Sequence, residues 1–163
     1  MNKSNIKIFP VRLDELDILS VLVGELLQEI MDVTATKAFT FNREETEQRA
    51  RDLLVREKYW VFVAKATGPD EIVGFVSLYE SYALYAAGAY GTIPELYVKK
   101  AWRSHGVGLQ LLKAVMQFAK SKQWARIEVT TPPLPEFDRT LAFYQRNGFQ
   151  ITGGRKLKMD LQS

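Results

Sequence analysis

Two glycines and an arginine stand at the start of an amphipathic helix, in the hexapeptide RSHGVG of residues 103–108. A helix start has unpaired backbone N–H groups and a partial positive charge, which together make an anion site. Glycine lets a ligand approach the backbone closely, and the guanidinium of Arg103 can clamp a phosphate oxygen. The spacing fits equally well with glycines that only permit a tight strand-to-helix turn. The helix itself is predicted from its apolar stripe, Gly108, Leu111, Leu112, Val115 and Ala119.

Two familiar phosphate loops do not fit this segment. The dinucleotide fingerprint needs a third glycine where this chain has Leu111, and the nucleoside triphosphate loop needs Lys-Ser/Thr where it has Leu109 and Gln110. Seven basic residues and no acidic residue lie between Lys99 and Arg126, which also suits an anionic ligand. This basic block coincides with the loop and carries no aromatic-basic recognition motif, so we expect no nucleic-acid partner.

Composition excludes several other kinds of site. The chain has 163 residues, no cysteine and one histidine, so disulfides, cysteine nucleophiles and a polyhistidine metal centre are excluded, and we expect no metal. No apolar run approaches the roughly 20 residues that span a bilayer, and the N-terminal residues lack the apolar core of a signal peptide. These features predict a cytoplasmic protein that does not associate with membranes.

The hydrophobic pattern predicts a mixed α/β fold around one sheet, in a single domain of residues 1–163. Pro94 predicts an edge or a bulge in its strand, because proline cannot donate to the ladder. The predicted strands are IKIFPV, YWVFVAKA, EIVGFVSLYES, GTIPELYVKK, ARIEVTT and a final pair within GFQITGGRKLKMDL. The predicted helices are LDELDILSVLVGELLQEIM, NREETEQRARDLLVRE with Asn42 and Glu45 as a capping box, Val107 to Ser121, and EFDRTLAFYQRN.

Three stretches together resemble the GNAT superfamily of N-acetyltransferases, whose members bind acetyl-CoA. RSHGVG is similar to the family's Arg/Gln-x-x-Gly-x-Gly/Ala pyrophosphate loop, and PELYVKKAW before it resembles the bulged fourth strand. RTLAFYQRNGF resembles the late helix in which a tyrosine precedes an Asn-Gly-Phe end. The strand order is also the family's, so the resemblance covers nearly the whole chain. It implies a single GNAT-type domain with a central, mostly antiparallel, twisted sheet flanked by about four helices.

The resemblance also implies roles for individual residues. Tyr144 matches the tyrosine that protonates the departing thiolate beside the cofactor, although it also fits a core stripe with Phe137 and Leu141. Backbone groups that should bind the pantetheine arm and the acetyl carbonyl belong to Leu96, Tyr97 and Val98. Backbone N–H groups that should surround the pyrophosphate belong to Arg103, Ser104, His105, Gly106, Val107 and Gly108.

The reaction needs a proton acceptor, because only an uncharged amine attacks the thioester. Glu95, beside the expected bulge, is the first candidate, and strand alternation places it on the same face as Tyr97. A substrate-binding or structural carboxylate is an equally good interpretation of Glu95. Glu80 is the next candidate. His105 lies within the phosphate loop, so we expect it to face solvent or phosphate rather than to act as a base.

Two segments depart from the family pattern. Many members have an asparagine after the fifth strand that contacts the pantetheine, whereas VTTPPLPEFDRT has none. That contact would come from the backbone, from Thr130 or Thr131, or be absent. The tyrosine-rich stretch LYESYALYAAGAYG could form an aromatic wall for the acceptor, a dimer contact or ordinary half-buried strand aromatics.

The sequence therefore predicts an acetyl-CoA-dependent N-acetyltransferase that transfers its acetyl group by direct attack in a ternary complex. The acceptor is expected to be a primary amine on a small metabolite or a peptide, and the tyrosine-rich stretch leaves a homodimer open. The alternative is a catalytically silent acyl-CoA-binding module that regulates a partner. Retention of Glu95 and Tyr144 argues against that alternative.

Overall fold

The computed structural model describes residues 5–68 and 70–161. The chain divides into one unit up to Thr130 and a second from Thr131 onward. The second unit contains one helix, α4 (Asp138–Arg146). The first unit contains, in chain order, β1 (Ile6–Pro10), α1 (Leu16–Thr34), α2 (Arg43–Val55), β2 (Trp60–Ala66), β3 (Glu71–Ser81), β4 (Tyr90–Ile93), β5 (Leu96–Val98), α3 (Val107–Ser121) and β6 (Ile127–Val129).

The six strands form one sheet in the order β1-β2-β3-β4-β6, with β5 paired to β3 outside this path. All the pairs are antiparallel except β4 with β6, which is parallel. The predicted mixed α/β class, with one mostly antiparallel sheet and four helices, is confirmed. None of the described helices combines the length and the apolarity needed to cross a bilayer.

Strand pairing assigns each side chain to one of two faces of the sheet. Val61 lies opposite Ser77 and Phe75 opposite Tyr97, so these four side chains share a face. This face packs against α1, through a buried cluster of Leu16, Leu19, Leu22, Val61, Val63, Ile72, Phe75 and Tyr97. We call it the α1 face.

The opposite face packs against α3 and is aromatic. Trp60 and Phe62 lie with their ring centroids 5.2 and 5.6 Å from that of Phe118. Trp124 packs edge-on against Phe118 at 5.6 Å. Gly91 leaves room for this indole, because a Cβ at position 91 would come within 2.4 Å of the Trp124 ring. We call this the α3 face.

The predicted irregularity at Pro94 is a one-residue bulge. β3 pairs with β4 at Tyr79 opposite Thr92 and with β5 at Val76 opposite Leu96. Two residues separate the paired positions on β3, whereas three separate them on the other side. The extra residue splits the predicted strand GTIPELYVKK into β4 and β5, and it bends the chain at the point where Glu95 leaves the sheet.

Local signals located the helices well. α3 begins and ends where its apolar stripe predicts, at Val107 and Ser121. Asn42 caps α2, since its side-chain oxygen accepts from the N–H of Glu45 at 2.9 Å. This contact is the one half of the predicted capping box that α2 shows.

The predicted final pair of strands is wrong. Among the described residues, none after α4 belongs to a strand. The alternating apolar residues Leu157, Met159 and Leu161 are 82–88% exposed, so neither side of this segment buries an apolar surface. Alternation favours a strand only where a partner covers one face and supplies the ladder.

Candidate active site

The segment RSHGVG forms the turn that leads into α3. Gly106 is the N-cap and has a left-handed backbone with φ of 80°, which glycine adopts at little cost. The first bond of the helix runs from the N–H of Gln110 to the oxygen of Gly106 at 3.0 Å. Before it, the six N–H groups of residues 104–109 donate to no described acceptor. Residues 104–106 are exposed, so the first three of these donors are open to solvent at the positive end of a helix, where an anion is favoured.

The strand before this turn has an open edge. β5 pairs with β3 and with no other described strand, while β6 pairs with β4 alone. Bonds from the N–H of Ser77 to Glu95 and from the N–H of Lys99 to Val73 flank the β5 ladder. Because bonded pairs alternate in an antiparallel ladder, the backbone of Tyr97 faces β3 and those of Leu96 and Val98 face outward. Of the three predicted pantetheine-binding residues, Leu96 therefore has its N–H and carbonyl available to a ligand and Val98 only its N–H, because the carbonyl of Val98 accepts from Nε of Arg103.

The guanidinium of Arg103 is engaged by α1. Its terminal nitrogens donate to the two carboxylate oxygens of Glu29 at 2.9 and 2.6 Å, and its Nε donates to the oxygen of Val98 at 2.8 Å. The ion pair with Glu29 raises the pKa of Arg103, so the charge is permanent. Three of the five N–H donors of the guanidinium are thus used within the protein. In this structure Arg103 joins α1, the end of β5 and the loop.

Glu95 lies at the bulge, on the α1 face. Its carboxylate accepts hydrogen bonds from the hydroxyls of Ser77 and Tyr59. Burial raises the pKa of Glu95 above its usual value, and the two hydroxyl donors oppose that rise. A carboxylate with a raised pKa is a better proton acceptor than an exposed one, which suits a general base.

Glu80, the other candidate base, lies on the α3 face. It is opposite Gly91 in the ladder, and its carboxylate accepts from the hydroxyl of Tyr82 and from the indole N–H of Trp124, the latter at 2.6 Å. These two hydrogen bonds lower the pKa of Glu80. Both of its oxygens are thus occupied, and it lies on the other side of the sheet from Glu95.

Tyr144 lies near the end of α4 and is buried, with 4% of its surface exposed. Its ring packs edge-on against Phe143 and Phe149, with centroids 5.3 Å away in both cases. No described residue hydrogen-bonds its hydroxyl, which is nevertheless not sealed from solvent. Burial raises the pKa of Tyr144, so the phenol holds its proton at neutral pH. The ring therefore packs as a core aromatic while the hydroxyl remains able to donate.

The tyrosine-rich stretch does not form one aromatic wall. Tyr79 stacks on Tyr59 at the end of the α1 face, with centroids 6.0 Å apart. Tyr90 is buried beneath the guanidinium of Arg126, 3.9 Å from the ring centroid. The side chains of Tyr82 and Tyr85, in the loop that follows β3, are 74% and 84% exposed.

His105 is exposed, with its Nδ1 2.6 Å from the oxygen of Arg103, as expected for a loop residue. No group of three His, Asp or Glu residues that could hold a metal ion exists within the described ranges. Tyr59, Ser77 and Glu29 were not predicted from the sequence. Their partners lie 18–74 residues away along the chain, so no local pattern points to them.

A bulged strand with an open edge, followed by a glycine turn with unpaired N–H groups, places the protein among the acetyltransferase-like α/β folds. A family model for the acetyltransferase (GNAT) domain matches residues 55–151, more than half of the chain. The protein belongs to this family, and its enzyme class is that of the N-acetyltransferases. No curated protein sequence matches the chain.

Solved structures of acetyltransferases share the fold. An aminoglycoside acetyltransferase from an uncultured soil metagenomic sample is 23% identical, with a TM-score of 0.75 and 97% of each chain covered. An acetyltransferase from Trypanosoma brucei is 22% identical, with a TM-score of 0.71 and coverage of 96% of this chain and 99% of that one. The ribosomal-protein-alanine N-acetyltransferase from Brucella melitensis biovar Abortus 2308 is 18% identical, with a TM-score of 0.73 and coverage of 95% and 99%.

Proposed function

We propose that this protein transfers the acetyl group of acetyl-CoA to a primary amine by direct attack in a ternary complex. The observation that carries the proposal is the row of six unpaired backbone N–H groups at residues 104–109, at the N-terminus of α3. Such a row, exposed at residues 104–106 and lying at the positive end of a helix, suits a pyrophosphate better than a single carboxylate.

The proposed cofactor site extends from this row to the open edge of β5. The pyrophosphate of acetyl-CoA would accept from the loop N–H groups, and space is available there because nothing lies within 4 Å of a Cβ built on Gly106. The amides of the pantetheine arm would pair with the N–H and carbonyl of Leu96 and with the N–H of Val98, as an added strand does. Arg103 would contribute its backbone and hold the loop against α1.

The chemistry requires two protons to leave an ammonium acceptor, one before the attack and one as the amide forms, and one proton to reach the thiolate. We propose that Glu95 accepts the ammonium proton, directly or through water, and passes it to solvent, so that the nitrogen lone pair attacks the thioester carbonyl. The C–N bond forms, the nitrogen gives its second proton to Glu95, the C–S bond breaks, and CoA leaves as a thiolate. Tyr144 donates its phenolic proton to that sulfur and regains a proton from solvent, a role proposed from its place in the FYQRNGF motif.

The acceptor is proposed to be a small amine or a peptide amine. A related fold acts in an aminoglycoside acetyltransferase and another in a ribosomal-protein-alanine N-acetyltransferase, so both acceptor types belong in a test. Purified protein would be assayed with acetyl-CoA against polyamines, amino acids, aminoglycosides and peptide N-termini, with release of the CoA thiol as the readout. We expect thiol release that depends on the amine.

The alternative, a silent acyl-CoA-binding module, makes a different prediction in the same assay. Such a protein would bind acetyl-CoA and release no thiol with any amine.

The cytoplasmic location, the single domain of residues 1–163 and the homodimer remain predictions. Sedimentation of the purified protein tests the homodimer.

Gly108→Val is expected to weaken acetyl-CoA binding at least about tenfold, the loss that a charge-assisted hydrogen bond represents. The added side chain would stand at the first turn of α3, where the pyrophosphate must approach the backbone. Isothermal titration calorimetry measures the effect. Gly88→Val, at an exposed glycine with open space around it, is the matched control and should leave the affinity unchanged. Unchanged CoA affinity in a folded Gly108→Val protein would show that the loop is not the binding site.

Arg103→Ala is expected to weaken acetyl-CoA binding by roughly 1–3 kcal/mol. Because both terminal nitrogens of Arg103 bind Glu29, we expect the loss to arise through the position of the loop. Glu29→Gln should then also weaken acetyl-CoA binding, by a smaller amount. Tighter binding in Glu29→Gln would instead mean that a released Arg103 side chain meets the pyrophosphate itself. Calorimetric titration of both variants distinguishes the two outcomes.

A further inference from the structure

Ser77 holds Glu95 by its backbone and by its side chain together. The N–H of Glu95 donates to the hydroxyl oxygen of Ser77 at 3.1 Å, and that hydroxyl donates to Oε1 of Glu95. The N–H of Ser77 donates to the oxygen of Glu95 at 2.9 Å. Ser77 is buried in the middle of β3, with 1% of its surface exposed. One serine thus ties both the backbone and the carboxylate of Glu95 to β3 beside the bulge.

Tyr59 adds a second donor to the same carboxylate oxygen. Its hydroxyl lies 3.4 Å from Oε1 of Glu95, at the long end of hydrogen-bond distances. The ring is held in place because it stacks on Tyr79 with an interplanar angle of 16°. Tyr59 stands immediately before β2 and Ser77 lies on β3, so two separate segments of the chain support one side chain.

The two oxygens of Glu95 therefore have different surroundings. Oε1 receives both hydroxyl donors, whereas Oε2 has no partner among the described residues. No fully buried side-chain oxygen or nitrogen in the described ranges lacks a partner, so Oε2 must keep some contact with solvent. Oε1 is thus held by two hydroxyl donors, whereas Oε2 is accessible to solvent.

We propose that Tyr59 and Ser77 are positioning residues, which hold Oε1 of Glu95 so that Oε2 points at the proton of the acceptor amine. The proposal rests on the proposed function, in which Glu95 is the general base. Neither residue needs to touch the acceptor. Both act through Glu95, by fixing its rotamer and by donating to its charged form.

The surroundings of Glu95 make its titration a clean measure of this network. The titratable side chains on the same face include Tyr59 and Tyr79 beside it, and Tyr97 with its partner Glu25 two residues along β5. The ion pairs of Arg103 with Glu29 and of Lys65 with Glu15 also lie along this face. Burial raises the pKa of Tyr59, and that of Tyr97 to about 12, so both phenols stay protonated near neutral pH. Loss of a donor to the carboxylate should raise the pKa of Glu95, because the donor favours the charged form.

The test measures the pKa of Glu95 in two ways, by NMR titration of the resting protein and by the pH dependence of turnover. The carboxyl carbon of Glu95 would be titrated by ¹³C NMR, with its signal assigned by its loss in Glu95→Gln. The pH profile of kcat/KM would be recorded with any acceptor that the amine panel yields. Ser77→Ala is expected to raise the pKa by about one unit, and Tyr59→Phe by less because its contact is longer. The acidic limb of the kcat/KM profile should move to higher pH by the same amounts.

Controls keep the test decisive. Tyr79→Phe removes a hydroxyl from the same aromatic stack without removing a donor to Glu95, so the pKa should stay where it is. If Ser77→Ala does not fold, the pKa of Glu95 in Tyr59→Phe alone decides the test. An unmoved Glu95 pKa in the folded variants overturns the positioning proposal. A wild-type protein that binds acetyl-CoA and releases no thiol with any amine overturns the proposed function instead, and the NMR titration tells these two failures apart.

Discussion

Glu95→Gln is expected to lower kcat by about 10²–10⁴-fold, the range typical of a lost general base, while the affinity for acetyl-CoA changes little. Glutamine has the same shape and still accepts from Ser77 and Tyr59, so the site keeps its geometry and loses only its proton acceptor. The rate should recover partly at high pH, where more of the acceptor amine is uncharged in solution. Steady-state thiol release from about pH 6 to about pH 9.5 measures both effects.

The same substitution makes a prediction about stability that does not depend on turnover. Because burial raises the pKa of Glu95, the folded protein binds this proton more tightly than the unfolded chain does. The wild type therefore loses stability as pH rises through that pKa, and Glu95→Gln does not. The melting temperature of Glu95→Gln relative to the wild type should rise between about pH 4 and about pH 8. A constant difference, together with full activity, would make Glu95 a structural carboxylate.

Tyr144→Phe is expected to lower the rate of acetyl transfer by about 10²–10⁴-fold if departure of the thiolate limits turnover. The substitution removes only the hydroxyl, and the phenyl ring keeps the contacts with Phe143 and Phe149. Acetyl-CoA affinity and melting temperature should change little. The loss should be smaller where another step limits the rate, because a CoA thiolate is a tolerable leaving group near neutral pH.

Tyr144→Ala separates catalysis from packing. Truncation of this buried ring leaves a cavity and should lower the free energy of unfolding by about 3–5 kcal/mol. Tyr85→Phe, at a side chain that is 84% exposed, controls for the loss of a tyrosine hydroxyl and should be neutral. Normal turnover in Tyr144→Phe, with damage confined to Tyr144→Ala, would leave Tyr144 with a packing role only.

Features decided within a few residues could be predicted from the sequence. The stripe from Gly108 to Ala119 located α3, and the Asn42 cap depends on a contact with a residue three positions away. Pro94 marked the bulge because proline lacks an N–H wherever it stands. In each case the physical cause lies inside the segment that shows the pattern.

Features decided by distant partners could not be predicted. Glu95 stood out as a carboxylate beside a bulge, but its donors lie 18 and 36 residues earlier in the chain. Arg103 was expected to bind phosphate because guanidinium groups do so, and its partner Glu29 lies 74 residues away. The strands predicted at the end of the chain failed for the same reason. Leu157, Met159 and Leu161 alternate as a strand does, yet alternation does not reveal whether a neighbouring strand is available.

The single extra residue at Pro94 constrains how this segment can change during evolution. Side chains on a strand alternate between faces. Deleting one residue between Ile93 and Leu96 would therefore turn the side chains of β5 to the opposite face of the sheet. Tyr97 would leave the α1 core, and the carboxylate at the bulge would lose Ser77. The proline itself is exposed, and many side chains could replace it. Substitutions should therefore accumulate at this position, whereas insertions and deletions should be removed by selection.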